Sequence, residues 1–149
     1  MKKAMGSRVQ LWLLHLVLMR RVPFNRPHGL RIFKITENGV VLKADLRRNN
    51  QNHIGGMHAC LLATCCEYAS GLMLLRLLDP EKYRIVLKRI QMEYHFQAKR
   101  PAFVHFELDW EEVSNSVIQP LREQAAVFRE FPVQVYDSEQ NHICSGLIY

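Results

Sequence analysis

The sequence predicts an α+β fold, with an antiparallel sheet of about six strands curled around one long central helix and a second helix at the N-terminus. Three observations predict it. Between His58 and Leu78 the side chains are almost all apolar or small, only Glu67 and Arg76 are charged, and Asp79-Pro80 supplies a stop. Residues 30–46 form two β-branched runs around Asn38-Gly39, the strongest short-range hairpin signal. After Pro80 the apolar pattern changes to period two. A helix apolar around its whole circumference must be wrapped by other structure or by lipid. A curled sheet supplies that wrapping. A transmembrane reading of residues 59–78 would place Glu67 and Arg76 in hydrocarbon at a cost of several kcal/mol, so no membrane span is expected.

The elements follow in order. Lys2 and Lys3 precede the apolar run Leu11 to Met19, which His15 interrupts and Arg20-Arg21 ends. The run is too short to span a bilayer and lacks the small-residue cleavage site of a signal peptide. It is expected as a helix packing Leu11, Leu14 and Leu18 on the body. Pro23 to Gly29 is a loop by its Pro and Gly content. Leu30–Glu37 and Val40–Leu46 are the first two strands, and Arg47–Gln51 leads into the Gly-rich turn before the central helix. In Arg84–Phe96, Val86, Ile90, Met92, Tyr94 and Phe96 share one face, and Ala102, Val104, Phe106 and Leu108 alternate likewise. Lys99-Arg100-Pro101 lies between them, and the expectation is one long hairpin with a wet face. Glu111–Gln124 reads weakly as helix, restarting at Pro120. Phe131–Tyr136 and His142–Tyr149 form a last hairpin.

At 149 residues the chain reads as one domain, residues 1–149, with 1–29 as N-terminal helix and loop. Its 48% hydrophobic content excludes a disordered chain. The net charge of +6 suits anionic ligands such as phosphates. No basic stripe interleaves with aromatics, so nucleic acid is not expected as a partner. The four cysteines (Cys60, Cys65, Cys66 and Cys144) form no CxxC pair, and three lie in the apolar helix, where a free thiol acts as a small hydrophobe. That favours reduced thiols and a cytoplasmic home. The seven histidines are scattered without ligand spacing, so no metal site is expected.

Glu67 is the oddest residue. A carboxylate in an apolar helix has either a partner or a task, and a buried one has a raised pKa suited to proton transfer. Asn52-His-Ile-Gly-Gly-Met-His58-Ala59, with Glu67 nine residues after His58, resembles the Asn…Gly-x-x-His-Gly-Gly…Asp/Glu signature of PaaI-type acyl-CoA thioesterases. A sheet wrapped around one helix placed after the second strand resembles the hotdog fold. Over residues 10–149 the layout is most similar to the thioesterase-like DUF4442 family, with its N-terminal helix ending in a Pro-Phe-Asn loop and its N-x-x-G run.

The resemblance implies hydrolysis of acyl-CoA or an acyl-carrier thioester, with coenzyme A as part of the substrate and no other cofactor. It implies that Glu67 is the general base, or less readily the nucleophile, and that Asn52 and His58 position substrate or water. The Ala59 N–H would polarise the carbonyl, with His53, Gly55 and Gly56 lining the substrate. Arg84, Lys88, Lys99 and Arg100 are candidate phosphate contacts. Nine residues at about 100° each turn Glu67 roughly 180° from a helical His58, so a shared site would then need two subunits; if His58 lies in the loop, the constraint softens. A two-subunit site agrees with a homodimer or a dimer of dimers. Two departures stand out. Ala59-Cys60 replaces the Gly-Gly pair, and Tyr83–Phe96 holds no Ser or Thr to position water.

Structural readings stand beside these. Gly55 and Gly56 suit a plain turn, His58 a helix cap, His53 a loop position, and Cys65 and Cys66 a core. Two other functions remain open. His53 and Glu67, fourteen residues apart, match the spacing in hydroxyacyl-thioester dehydratases, but that family's prolines are missing. A hotdog domain could also bind an acyl thioester or lipid tail without turning it over.

Overall fold

A computed structural model of the chain describes residues 8–149. Helix α1 (Arg8–Arg21) leads through a turn at Pro23–Asn25 into strands β1 (Arg31–Ile35) and β2 (Gly39–Ala44). The long helix α2 (Ala59–Leu77) follows, then β3 (Ile90–Tyr94) and β4 (Ala102–Glu107). A short helix α3 (Trp110–Val113) precedes β5 (Phe131–Asp137) and β6 (His142–Ile148). The strands form one six-stranded antiparallel sheet in the order β1-β2-β4-β5-β6-β3.

Helix α2 packs against β2, β3, β4, β5 and β6, which explains its apolar composition. Leu62, Cys65, Cys66, Ala69, Leu72 and Met73 are buried against inward residues such as Leu42, Val104, Phe106, Val133 and Val135. Close approach is possible because β6 carries Gly146 under the helix. A Cβ there would lie 3.1 Å from Met92 Sδ and 3.3 Å from Cys66 Cβ and Sγ. The wrapping is incomplete, however. Ala63, Thr64, Glu67 and Gly71 are only partly buried, and Leu75 is 45% exposed. One flank of the helix therefore faces away from the sheet.

The β1–β2 hairpin forms at Asn38-Gly39, with Ile35 opposite Val40. Thr36 N–H donates to the Gly39 carbonyl at 2.8 Å, so Glu37 and Asn38 are the turn's corners and Gly39 already belongs to β2. Leu11, Leu14 and Leu18 of α1 pack on the core as expected, with Met19 buried.

The hairpin expected between the strands around Lys99–Pro101 does not exist. β3 pairs with β6, with Met92 opposite Gly146, and β4 lies between β2 and β5. The period-two pattern identified the inward face of β4, where Ala102, Val104, Phe106 and Leu108 are all buried. On the other run Val86, Tyr94 and Phe96 are exposed, and the pattern carried no information about which strand lies alongside. The connection also differs from a tight hairpin loop. His95 and Phe96 N–H both donate to the Ile143 carbonyl, at 2.8 and 3.1 Å, ending β3 on β6. Residues 97–101 then cross under the loop before α2, where Met57 N–H donates to the Ala98 carbonyl at 2.7 Å. Strand β3 is also shorter than its pattern. Residues 84–89 have no regular secondary structure, and Lys88 and Arg89 bond the backbone of Tyr149 at the end of the sheet.

The segment after β4 is helical but irregular. Asp109 caps α3 through a 2.7 Å bond from Glu112 N–H, one π-helical turn follows at Ser114–Ile118, and a 3₁₀ turn at Pro120–Arg122 ends it. Residues 123–130 then run without regular structure back to β5. The β5–β6 turn is fixed by buried Asp137, whose carboxylate accepts from Glu139 N–H, Asn141 N–H and Asn141 Nδ2 at 2.8, 3.0 and 2.9 Å. Burial raises its pKa, but the bonds from Asn141 and Glu139, with Arg100 nearby, outweigh that and leave it below the ordinary carboxylate value.

Candidate functional site

The loop entering α2 is tightly closed on itself. Asn52 Oδ1 accepts from Ile54 N–H at 3.1 Å and Gly56 N–H at 3.0 Å, while Asn52 N–H donates to the Gly56 carbonyl at 2.8 Å. Gly55 has φ +76°, a conformation that favours glycine, and Gly56 is buried against the Gln97 side chain. His58 N–H donates to the Asn50 carbonyl at 2.8 Å, and its ring Nδ1 accepts from Cys60 N–H at 3.1 Å. His58 is therefore the N-cap of α2, a role it fills as Ser or Asp would. His53 lies exposed on the turn. Ala59 is exposed at the first position of the helix, where its N–H has no intrahelical acceptor. The Tyr94 hydroxyl donates to the Ala59 carbonyl at 2.9 Å, and burial, with nearby Cys144, pushes its pKa up to about 12.

Glu67 lies elsewhere. With Ser70, Gly71, Leu74 and Leu78 it forms a stripe at helical spacing along one wall of a cavity of about 540 Å³. The opposite walls come from residues 82–88, from Val117 and Leu121, and from residues 125–129 together with Phe131 and Ile148. The lining is mainly apolar, and the volume falls within the range of small-molecule sites. Glu67 is half-buried, and burial alone raises its carboxyl pKa, with no charge close enough to offset it. Four cations line the same cavity: Lys82, Arg84, Lys88 and Arg129. The Lys88 ammonium sits 3.9 Å from the Phe128 ring centroid, and Arg129 Nε donates to the Ser116 carbonyl at 2.6 Å.

The structure thus separates the expected site residues into two groups. Asn52, His53, Gly55, Gly56, His58 and Ala59 belong to the loop and cap at the start of α2. Glu67 stands nine residues on, about 13 Å along the axis, facing the cavity. None of the first group lines that cavity. Of the candidate phosphate contacts, Arg84 and Lys88 line it, whereas Lys99 and Arg100 do not, and Arg100 pairs with Glu139 at 2.9 Å.

Sequence reading missed Ser70, Gly71, Lys82, Tyr83 and Arg129. Ser70 and Gly71 were detectable as the i+3 and i+4 neighbours of Glu67. The Ser70 hydroxyl is buried and donates to the Glu67 carbonyl at 2.9 Å. Arg129 carried no sequence signal, because only the path of residues 123–130 brings it near α2.

An antiparallel sheet curled around one long helix, with a Gly-rich loop feeding that helix, is the hotdog fold. The sequence matches the family described as "Domain of unknown function (DUF4442)" over residues 11–148, and the chain belongs to that family. No curated protein matches it in sequence. Among solved structures it is similar to a Pseudomonas aeruginosa protein of unknown function described as a probable thioesterase. The TM-score is 0.84 at 21% identity, over 97% of this chain and 95% of that one. It also resembles mouse thioesterase superfamily member 2, with TM-score 0.66 at 14% identity over 97% and 96% of the two chains. A thioesterase family protein from Silicibacter pomeroyi gives TM-score 0.65 at 15% identity over 89% and 90%. At these identities the likeness establishes the shared fold.

Proposed function

We propose that the protein hydrolyses acyl-CoA or a closely related acyl thioester, with Glu67 as general base. One observation carries the reading: a half-buried carboxyl with a burial-raised pKa opens onto an apolar cavity lined by four cations. A carboxylate so placed is held nearer to neutrality than an exposed one and makes a better base. The apolar walls suit an acyl chain, and Lys82, Arg84, Lys88 and Arg129 suit the phosphates of a coenzyme. In the reaction, water loses a proton to Glu67 as its oxygen attacks the thioester carbonyl carbon. The C–S bond then breaks, the leaving thiolate takes the proton, and a carboxylic acid and a free thiol result. No cofactor beyond the substrate's own coenzyme A is needed.

The oxyanion on the carbonyl needs donors. The exposed Ala59 N–H at the positive end of α2 is one, with Asn52 and His58 shaping the loop around it. Because none of these lines the cavity that Glu67 faces, the proposal includes a second copy of the chain. A homodimer, or a dimer of dimers, would supply the helix start of one subunit to the Glu67 of the other. The edge position of β3, with Tyr94 47% and Phe96 52% exposed, supports such a contact. The buried thiols Cys65, Cys66 and Cys144 suit the reducing cytoplasm.

The test is hydrolysis of a panel of acyl-CoAs from short aliphatic through long-chain to aryl, with released coenzyme A quantified by chromatography. Turnover of at least one class is expected. Tight binding of a thioester without any turnover would instead support an acyl-binding protein, a reading kept alive by Ala59-Cys60 in place of two glycines.

A further inference from the structure

The outward face of α1 is a second, unrelated feature. While Leu11, Leu14, Leu18 and Met19 pack inward, Trp12, Leu13, Leu16 and Val17 are 58%, 51%, 46% and 57% exposed. Their spacing of i, i+1, i+4 and i+5 makes one continuous stripe. The stripe ends at exposed Arg20 and Arg21, and Phe24, 66% exposed, follows in the next turn. Single exposed hydrophobics are ordinary, but a helix apolar on its outer side as well as its inner one is a surface that something else covers.

Charge indicates what. Eight of the chain's 20 lysines and arginines lie in residues 1–36 and none of its 14 acids, the first being Glu37. This quarter of the sequence therefore carries +8, while the remainder, with the other 12 cations, carries −2. The cations bracket the stripe along the chain: Lys2, Lys3 and Arg8 before it, Arg20, Arg21 and Arg26 after it. Arg31 is paired with Asp45, but two copies meeting through α1 would still set one strongly cationic segment against another, which opposes pairing. An anionic lipid surface offers the reverse, with headgroup charge for the arginines and lysines and an acyl boundary for the aromatic and aliphatic side chains. Trp12 has the amphipathic ring that settles at that boundary.

We propose that α1 is a peripheral membrane anchor: it lies in the plane of an anionic bilayer surface with Trp12, Leu13, Leu16, Val17 and Phe24 inserted, and Arg20 and Arg21 among the headgroups. At 14 residues α1 is too short to span the hydrocarbon, so the contact is interfacial. It places the protein reversibly on a membrane, independently of what the Glu67 cavity does.

The test is co-sedimentation of the full chain with vesicles of phosphatidylcholine alone, or of phosphatidylcholine and phosphatidylglycerol at roughly 7:3. Binding is expected to the mixed vesicles, weakly or not at all to the neutral ones, and to be lost as salt rises to about 0.5 M. Trp12→Ser with Leu16→Ser, and separately Arg20→Gln with Arg21→Gln, should each lower the partition coefficient about tenfold or more with the fold retained in melts, since all four side chains are largely exposed. In the Trp110→Phe background Trp12 is the sole tryptophan, and its emission should shift to the blue on mixed vesicles. Three outcomes overturn the proposal: no binding to mixed vesicles at low salt, variants that bind as the wild type does, or a stripe variant that changes the oligomeric state while vesicle binding is unaffected. The last would assign the face to a contact between copies.

Discussion

Gly71 offers a direct test of whether the flank of α2 beside Glu67 is open. It lies in the interior of a 19-residue helix, where glycine costs roughly 0.5–1 kcal/mol relative to alanine. A Cβ at Gly71 would meet nothing nearer than Glu67 Oε1 at 3.9 Å, an ordinary contact without steric cost. Gly71→Ala should therefore keep the helix gain and stabilise the protein by about 0.5–1 kcal/mol, raising Tm by about 1–4 °C for a domain of this size. Calorimetric or dichroism melts at one protein concentration measure it. Gly146→Ala is the control with the opposite sign. Its Cβ would press on Met92 and Cys66 at 3.1–3.3 Å, and overpacking of this kind costs about 1–3 kcal/mol. If Gly71→Ala destabilised by as much as Gly146→Ala, the flank of α2 would be filled by other structure, and the cavity beside Glu67 would not be available to a substrate.

The carboxyl groups give further predictions. Glu67 has a folded-state pKa above its ordinary 4.5, so the folded protein holds that proton more tightly and loses stability as pH rises from 4.5 through the folded value. Glu67→Gln should thus raise Tm most at pH 7–8, with the gain shrinking as pH falls through that window and vanishing below about 4.5; a gain independent of pH would contradict the burial argument. Asp137, shifted the other way, contributes stability above its ordinary 3.8 that is lost as pH falls through its lower folded value. Asp137→Ala leaves three turn donors without an acceptor and should cost about 2–4 kcal/mol in denaturant melts at neutral pH. Gly71→Leu should instead act on activity, lowering turnover of long-chain thioesters by about tenfold or more by occupying the space beside the carboxyl, with the fold retained in the same melts.

Much of the fold is written locally. The Asn38-Gly39 turn, the all-apolar helix and most of the period-two runs report their own conformation and appear where their patterns lie, the exception being residues 84–89, whose alternation forms no strand. Strand pairing is not local. Met92 alternates equally well beside β4 or β6, and only the chain path through residues 95–101 selects β6. The site divides along the same line. Glu67 is conspicuous because carboxylates are rare in apolar helices, and the Gly-rich loop because Asn52 and Gly55 have turn chemistry. The cavity is not conspicuous, because its walls come from segments far apart in sequence, and Arg129 reaches it only through an irregular stretch. The capping of Cys60 N–H by His58 was one of two readings of that histidine, and nothing in its residue type distinguishes them.

The central claim is that the Glu67 carboxyl performs the proton transfer in a thioester hydrolysis. The most direct measurement is the rate of coenzyme A release from the preferred acyl-CoA at neutral pH, wild type beside Glu67→Gln, read by chromatography so that the protein's own thiols do not contribute. The account predicts a fall of about 10²–10⁴-fold in kcat for the variant. A variant that hydrolyses within about threefold of the wild type would show that Glu67 is not the base and that the chemistry lies elsewhere.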